Sequence, residues 1–403
     1  MTIKRAAKWQ PFVFSTMRLY YHNRNLLEPI ESGIHARSLL EAFQRRDHEV
    51  LVYPANYDQI PARPSLARRL FQKMPYAIRD RRAVFAAFQQ VGSRWVQHRA
   101  RIAEFAPEAI YLRTNYSDLV SLRVAEEFRF LPLVLEVNAL IYQELEQIGR
   151  QHLAEFARSI EEPLWHLADA IRVVSGELKA MLIEHGVDPE KINVIYSGAD
   201  VQAFAAQAHR EAERARLKIG EDQILFCYIG SFRYFHGLSE IIDAARQAND
   251  PNVRFLMIGD GPRRQEMQRA VTQAGLNEQF HFLGAVPHER IPALLSAADI
   301  CLSLYPRGQR MYFCPLKLLE YMAAGKAVLA SAIGVQNEIL KQNETAYLVG
   351  PGTEPLAQAI QDLSRDAQLR ETLGMNAALL IREKLTWNHT AEKIEQLFAG
   401  IKK

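Results

Sequence analysis

Lys317 and Glu320 stand three residues apart in the stretch Pro315-Leu316-Lys317-Leu318-Leu319-Glu320-Tyr321-Met322-Ala323-Ala324-Gly325. On a helix, that spacing brings both side chains to nearly the same face. The start of such a helix offers backbone N–H groups and a partial positive charge to an anion. Lys317 adds a mobile cation, and Glu320, about one turn further, can accept hydrogen bonds from two vicinal hydroxyls. A diphosphate joined to a ribose asks for this combination, so the stretch reads as a site for a nucleotide sugar.

The elements that must position these residues follow from the apolar rhythm. Runs at 224–229, 253–258, 280–283, 300–304, 327–330 and 346–349 read as short buried strands. Helix-period segments at 238–247, 262–274, 289–298 and 316–324 lie between them. Strands alternating with helices of this length predict a parallel, doubly wound sheet, whose ligands bind at the carboxyl ends of the strands. The first half repeats the pattern more loosely. Residues 11–17 read as a first strand, followed by a polar loop reaching Glu31-Ser32-Gly33 and a helix over 34–45. Further strands are expected at 48–53, 109–113, 133–137, 171–174 and 194–195, with a long helix-period segment over 76–105. A turn-rich exit, Tyr196-Ser197-Gly198-Ala199-Asp200, puts the boundary near Phe204. The α/β reading is therefore two facing Rossmann-like, doubly wound domains, 1–204 and 205–385, with a cleft between them. A C-terminal helix, 386–403, is expected to return to the first domain.

Composition excludes several classes. A chain of 403 residues with 48% hydrophobic and 24% charged residues is a globular, two-domain length. A net charge of +3 makes no demand for nucleic acid. The charge is uneven: 63–101 holds ten Arg or Lys against one acid, Asp80, leaving the remainder negative. Cys227, Cys301 and Cys314 have no metal-ligand or CxxC spacing and read as buried free thiols. The basic residues 1–11 lack an apolar signal core, and no run approaches the roughly 20 apolar residues of a spanning helix. A cytoplasmic protein, or one peripheral on the cytoplasmic face of a membrane, is expected.

Several ordered motifs carry a resemblance. They are Val194-Ile195-Tyr196-Ser197-Gly198-Ala199-Asp200, Tyr228-Ile229-Gly230-Ser231-Phe232, His236-Gly237, Ile258-Gly259-Asp260-Gly261-Pro262, Phe282-Leu283-Gly284 and Leu318 to Gly325. With them the chain resembles the family 4 (group 1) retaining glycosyltransferases of GT-B architecture, from about Gly33 to the C-terminal helix. The absence of any Asp-x-Asp, Walker-type or complete GxGxxG motif agrees with that family and with a site that needs no metal or other cofactor. A leaving diphosphate must then be met by fixed dipoles and cations.

The resemblance implies roles residue by residue. Glu320 binds the donor ribose and Lys317 the diphosphate, beside Pro315 and Leu316 at the helix start. The loop from Gly230 carries Ser231 and His236 where typical members have Arg and Lys, so Arg233 and His236 are the candidates for gripping the diphosphate. Tyr312 stands where members often place a sugar-contacting Glu, eight residues before Glu320. Its hydroxyl can still hydrogen-bond, but it brings no negative charge. Gly33 is implied at a close approach to donor phosphate and acceptor; Ser32-Gly33 as an ordinary helix N-cap is the alternative. Asn138 lies where many members carry a sugar-contacting His, and Arg113 is a second cleft candidate. His35 is read as structural.

The implied activity is a hexosyltransferase moving sugar with retention from a nucleotide-diphosphate sugar to a glycan or lipid-linked acceptor, in polysaccharide or glycoconjugate biosynthesis. The alternatives are an epimerase or hydrolase of sugar nucleotides, and a non-catalytic binding protein. The basic segment 63–101 has two readings. It contacts an anionic membrane peripherally, or its helix packs one apolar stripe (Ile78, Phe85, Phe88, Val91, Trp95, Ile102, Phe105) on the sheet with arginines facing water. The second is preferred.

Overall fold

The computed structural model describes residues 16–28, 31–55, 76–113, 115–204, 210–233, 237–306, 308 and 310–403. The chain divides into two compact units, Met1–Tyr196 with Trp387–Lys403, and Ser197–Thr386.

In the first unit, β1 (Arg18–Asn23), β2 (Glu49–Tyr53), β3 (Ala109–Arg113), β4 (Leu133–Val137), β5 (Ala170–Val173) and β6 (Ile192–Val194) form one parallel sheet in the order β2-β1-β3-β4-β5-β6. The strand β1 lies later than the 11–17 run that the apolar pattern suggests, and residues 11–15 fall outside the described ones. Its Tyr20, Tyr21, His22 and Asn23 read as polar loop, yet all four are buried. Their polar atoms are satisfied internally: the Tyr21 hydroxyl donates to Ala36 O at 2.9 Å, and Asn23 Nδ2 donates to the Tyr21 hydroxyl at 3.1 Å.

The helix that follows spans Glu31–Arg45, so Ser32 and Gly33 belong to its first turn and not to an entering loop. Gly33 is required there by space. A Cβ at this position would come within 1.8 Å of the Glu28 carbonyl oxygen, so any side chain would push the preceding segment off the helix. The helix Trp387–Gly400 also packs in this unit. Glu395 accepts from Arg46 at 2.5 and 2.7 Å and pairs with His48 at 2.7 Å, while Trp387 meets the His35 ring edge-on at 4.9 Å.

In the second unit, β7 (Ile224–Ile229), β8 (Val253–Ile258), β9 (Phe280–Gly284), β10 (Ile300–Ser303), β11 (Ala327–Ser331) and β12 (Tyr347–Val349) make another parallel sheet, ordered β12-β11-β10-β7-β8-β9. Counted from β7, this is the Rossmann order, with the reversal of strand order between β7 and β10. The register sets Ile300 beside Phe226 and Cys301 beside Cys227. Phe255 stacks on Phe280 at 4.4 Å and packs on Phe226 at 5.3 Å. Each such buried phenylalanine contributes about 1.5–3 kcal/mol. Burial pushes the Cys227 thiol up to about 12 and raises Cys301 as well, so both act as small hydrophobes.

Residues 197–204 go with the second unit rather than the first. Ala199 N donates to Leu385 O at 2.9 Å and bridges to Thr386, which joins the two ends of this unit side by side.

Candidate functional site

In an open parallel sheet, the loops on either side of the strand-order reversal run apart and leave room for a ligand. In the second unit those loops follow β7 and β10. The first begins at Gly230, and the second leads through Tyr305 and Tyr312 to the helix Leu316–Ala323, whose N-cap is Pro315. Proline suits that place, having no N–H to leave unbonded.

The reversal brings Gly230 and Lys317 together. A Cβ on Gly230 would stand 3.3 Å from Lys317 Nζ, so the ammonium lies against bare backbone. Lys317 is buried, and its ammonium sits 4.6 Å from the Tyr228 ring centre and 5.3 Å from that of Tyr305. Both ring faces attract the cation. The loop after β8 crosses closely: Gly259, at φ 129°, would place a Cβ 1.9 Å from Gly230 O. Only glycine fits that crossing. Tyr321 fixes the helix to the sheet by accepting from Ile229 N at 2.8 Å.

One turn after Lys317, Glu320 is mostly buried and its Oε1 lies 2.8 Å from His288 Nε2. The His288 ring packs edge-on against Phe204 at 6.0 Å. Sequence reasoning missed His288. The signal was available: Val286-Pro287-His288 follows Phe282-Leu283-Gly284, which puts a histidine in the loop leaving β9.

Of the other expected residues in this unit, Ser231 follows Gly230 and its carbonyl accepts from the Tyr228 hydroxyl at 2.9 Å. Arg233 is exposed on the same loop. Tyr312 is half-buried with its ring edge-on to Phe313 at 5.8 Å, and Pro315 and Leu316 are buried at the helix start. His236 lies outside the described residues.

The first unit gathers a second cluster, also at the carboxyl ends of its strands. Glu136 of β4 is fully buried, 2.8 Å from His35 Nε2, 2.9 Å from Arg172 Nη1 and 3.4 Å from Arg113 Nη1. Tyr111 Oη and Asn138 Nδ2 donate to the same carboxylate. Two expected residues, Arg113 and Asn138, therefore meet on a third that the sequence reading passed over. Asn138 Oδ1 is buried with no hydrogen-bond partner among the described residues.

Burial pushes His35 down to about 4, so at neutral pH it donates as an uncharged imidazole. Burial alone would raise Glu136; the surrounding groups outweigh it and hold the carboxyl well below its usual range. The groups that do so are His35, which is charged in the acid range where this carboxyl titrates, and Arg172 and Arg113. Tyr111 is raised by burial and by Glu136, and it keeps its proton.

Beside this cluster, His22 and Asp118 form a fully buried pair at 2.6 Å, with Tyr20 Oη 3.0 Å from His22 Nδ1 and 2.6 Å from His98 Nε2. Asp118 also caps the helix Leu119–Glu127 by accepting from Ser121 N at 3.3 Å. The sequence clue was its place, immediately before an apolar helical run.

Comparison with known proteins agrees with the two-sheet fold. Residues 209–380 match the model of the glycosyl transferases group 1, and residues 32–203 match that of glycosyltransferase family 4. Alpha-D-kanosaminyltransferase of Streptomyces kanamyceticus is 23% identical over 67% of this chain and 71% of its own length. D-rhamnosyltransferase WbpZ of Pseudomonas aeruginosa is 31% identical over 49% of this chain, which spans 50% of that relative. The solved structure of Anabaena HepE in complex with UDP and glucose is alike in fold, with a TM-score of 0.70 over 96% of this chain and 100% of that one, at 18% identity.

Proposed function

The chain belongs to the group 1 glycosyltransferases, and from that premise we propose that it moves a hexosyl unit from a nucleoside-diphosphate sugar to a glycan or lipid-linked acceptor, with retention and without a metal. The observation that supports this reading is Lys317 against Gly230 at the strand-order reversal, one turn ahead of Glu320. In this reading Glu320 accepts from the ribose hydroxyls. The diphosphate lies over Gly230 and Ser231, facing Lys317 and the helix start at Pro315 and Leu316, with Arg233 and His236 as further cationic or donor groups. The Tyr312 hydroxyl meets the donor sugar. On the first unit, Arg113 and the unsatisfied Asn138 Oδ1 face acceptor hydroxyls, and Gly33 lets the segment before its helix lie close.

Retention follows if departure and attack use the same face of the sugar. The acceptor oxygen bonds to the anomeric carbon, the bond from that carbon to the phosphate oxygen breaks, and the acceptor proton passes to the departing diphosphate. A product with inverted anomeric configuration by NMR would refute this stereochemistry. The donor assignment is tested by thermal shift with UDP and GDP, since binding stabilises by mass action. A stabilisation present in the natural protein and missing in Glu320→Ala is expected; an equal shift in both removes Glu320 from the site.

Tyr312, in place of a Glu, favours one other reading, nucleotide-sugar binding without transfer. Binding with no turnover across donors and acceptors would select it. A cytoplasmic working place is proposed as well, because sugar nucleotides are made there and Cys227, Cys301 and Cys314 form no disulfide among the described residues.

A further inference from the structure

Arg113 is the unmatched member of the first unit's polar cluster. Its side chain is 12% exposed, and its buried Nη1, 3.4 Å from Glu136 Oε1, has no hydrogen-bond partner among the described residues. The carboxylate is already occupied. It accepts from Arg172 at 2.9 Å and from Tyr111 and Asn138, and it pairs with His35 at 2.8 Å. Arg172 Nη2 and Asn138 Oδ1 are likewise buried without a partner among the described residues. Asn138 must turn its Nδ2 to the carboxylate, which only accepts, and this leaves Oδ1 facing away. Two donors and one acceptor are therefore unsatisfied together, where nearly every buried polar atom of a folded protein is paired.

Charge is unmatched in the same place. At neutral pH His35 is uncharged and Tyr111 keeps its proton. The guanidinium ions of Arg113 and Arg172 then face the single carboxylate of Glu136, and one positive charge is left over. Strand register sets Asn23 beside Arg113, and the carboxylate on that side is Asp118. It is taken by His22 at 2.6 Å and faced by Arg24, so it does not serve Arg113. A buried cation without a counterion is costly, so a ligand with one negative charge fits best.

We propose that this cluster receives a sugar acid, with the carboxylate in a bidentate pair with Arg113 and the hydroxyl on the neighbouring ring carbon donating to Asn138 Oδ1. A hexuronic acid has that arrangement, its carboxylate on C5 and a hydroxyl on C4. The planar fork of arginine matches a carboxylate in shape as well as in charge. A phosphate monoester carries about two negative charges at pH 7 and would leave one unmatched. The inference rests on the reading of Arg113 and Asn138 as acceptor residues, and it makes that acceptor an acidic glycan.

The test is ligand-observed NMR of the full chain with about 10 mM D-glucuronate, D-glucose 6-phosphate or D-glucose. Glucuronate should bind most tightly, with glucose weaker by at least about tenfold, the effect of one charge-assisted pair. Arg113→Gln should weaken glucuronate by about tenfold or more, and Arg113→Lys should recover part of the loss by restoring charge without the fork. Because the cation is unmatched, Arg113→Gln should not lower the tryptophan-monitored unfolding midpoint. Equal binding of glucose, tighter binding of glucose 6-phosphate, or a lowered midpoint with undiminished glucuronate binding overturns the proposal. So does displacement of glucuronate by UDP or GDP, which would seat it on the diphosphate's own site. Glucuronate binding without any nucleoside-diphosphate binding supports this inference and removes the transfer reading. Nucleoside-diphosphate binding without glucuronate binding does the reverse.

Discussion

Each sheet carries a glutamate–histidine pair near its carboxyl end, and the two pairs have the same 2.8 Å separation. Their surroundings differ. In the first unit, Glu136 and His35 are 0 and 6% exposed, and Arg172, Arg113, Tyr111 and Asn138 also converge on that carboxylate. In the second, Glu320 and His288 are 12 and 37% exposed, on a helix that starts beside a buried lysine held by two aromatic rings. Separation alone therefore says little about role. A carboxylate that several neighbours already saturate has little capacity left for a ligand, so its strength goes into the fold. One that a single, partly exposed partner orients, among the described residues, keeps capacity to accept from sugar hydroxyls.

Removing the saturated glutamate should have the largest effect, and on stability. Glu136→Ala strands Arg172 and Arg113 in the interior and should cost about 3–5 kcal/mol, read from urea unfolding. Tryptophan fluorescence isolates this effect, because Trp95, Trp165 and Trp387 belong to the first unit and the second contains none. A loss below about 1 kcal/mol would erase the contrast between the two carboxylates.

Next comes the less saturated one. Glu320→Ala should weaken nucleoside-diphosphate binding by about 100-fold, near 2.7 kcal/mol, with the tryptophan-monitored midpoint unchanged. Calorimetric titration measures the first and the urea curve the second. A stability loss without a binding loss would reverse the assignment.

Acid should then discriminate between the units. Folding holds His35 near 4, below its ordinary 6.5, so its neutral form is favoured in the native state. That stabilisation is complete above about pH 6.5 and drains as the pH falls toward 4. Between about pH 7.5 and 5 the first unit should lose about 2 kcal/mol, and His35→Gln should flatten the slope. Glu136, held low, adds a loss of the same sign at more acidic pH. A slope unchanged in His35→Gln would place the acid sensitivity elsewhere.

The smallest expected effect sharpens the second pair. His288→Ala should weaken the nucleoside diphosphate by about tenfold, through Glu320 alone, with His288→Gln recovering most of it. If Glu320→Ala and the double variant bind equally, His288 acts by orienting Glu320; additive losses would show an independent contact.

The second unit was legible in the sequence because its strands alternate with helices of even length, and because Lys317 and Glu320 announce themselves by spacing. The first unit was harder to read for a physical reason. Its β1 hides Tyr20, Tyr21, His22 and Asn23, four residues whose polar atoms find partners only after distant segments assemble: Ala36 O for Tyr21, Asp118 for His22, His98 for Tyr20. Nothing local in 18–23 declares those partners. Glu136 was invisible on the same account, since Arg172 and His35 approach it from 36 and 101 positions away. The helix Tyr76–Phe105 misled differently. Its apolar residues follow one period but fall on two sides, Ile102 buried and Ile78 and Phe85 46 and 63% exposed, and a count of matches to that period does not separate them.

The pairing of Ala199 with Leu385 and Thr386 makes residues 197–386 an insertion whose entrance and exit touch. Such a cassette can be excised and expressed without straining its ends. Deleting everything after Thr386 should correspondingly spare the cassette and unfold its host, because Glu395 and Trp387 brace Arg46, His48 and His35 from the far end of the chain.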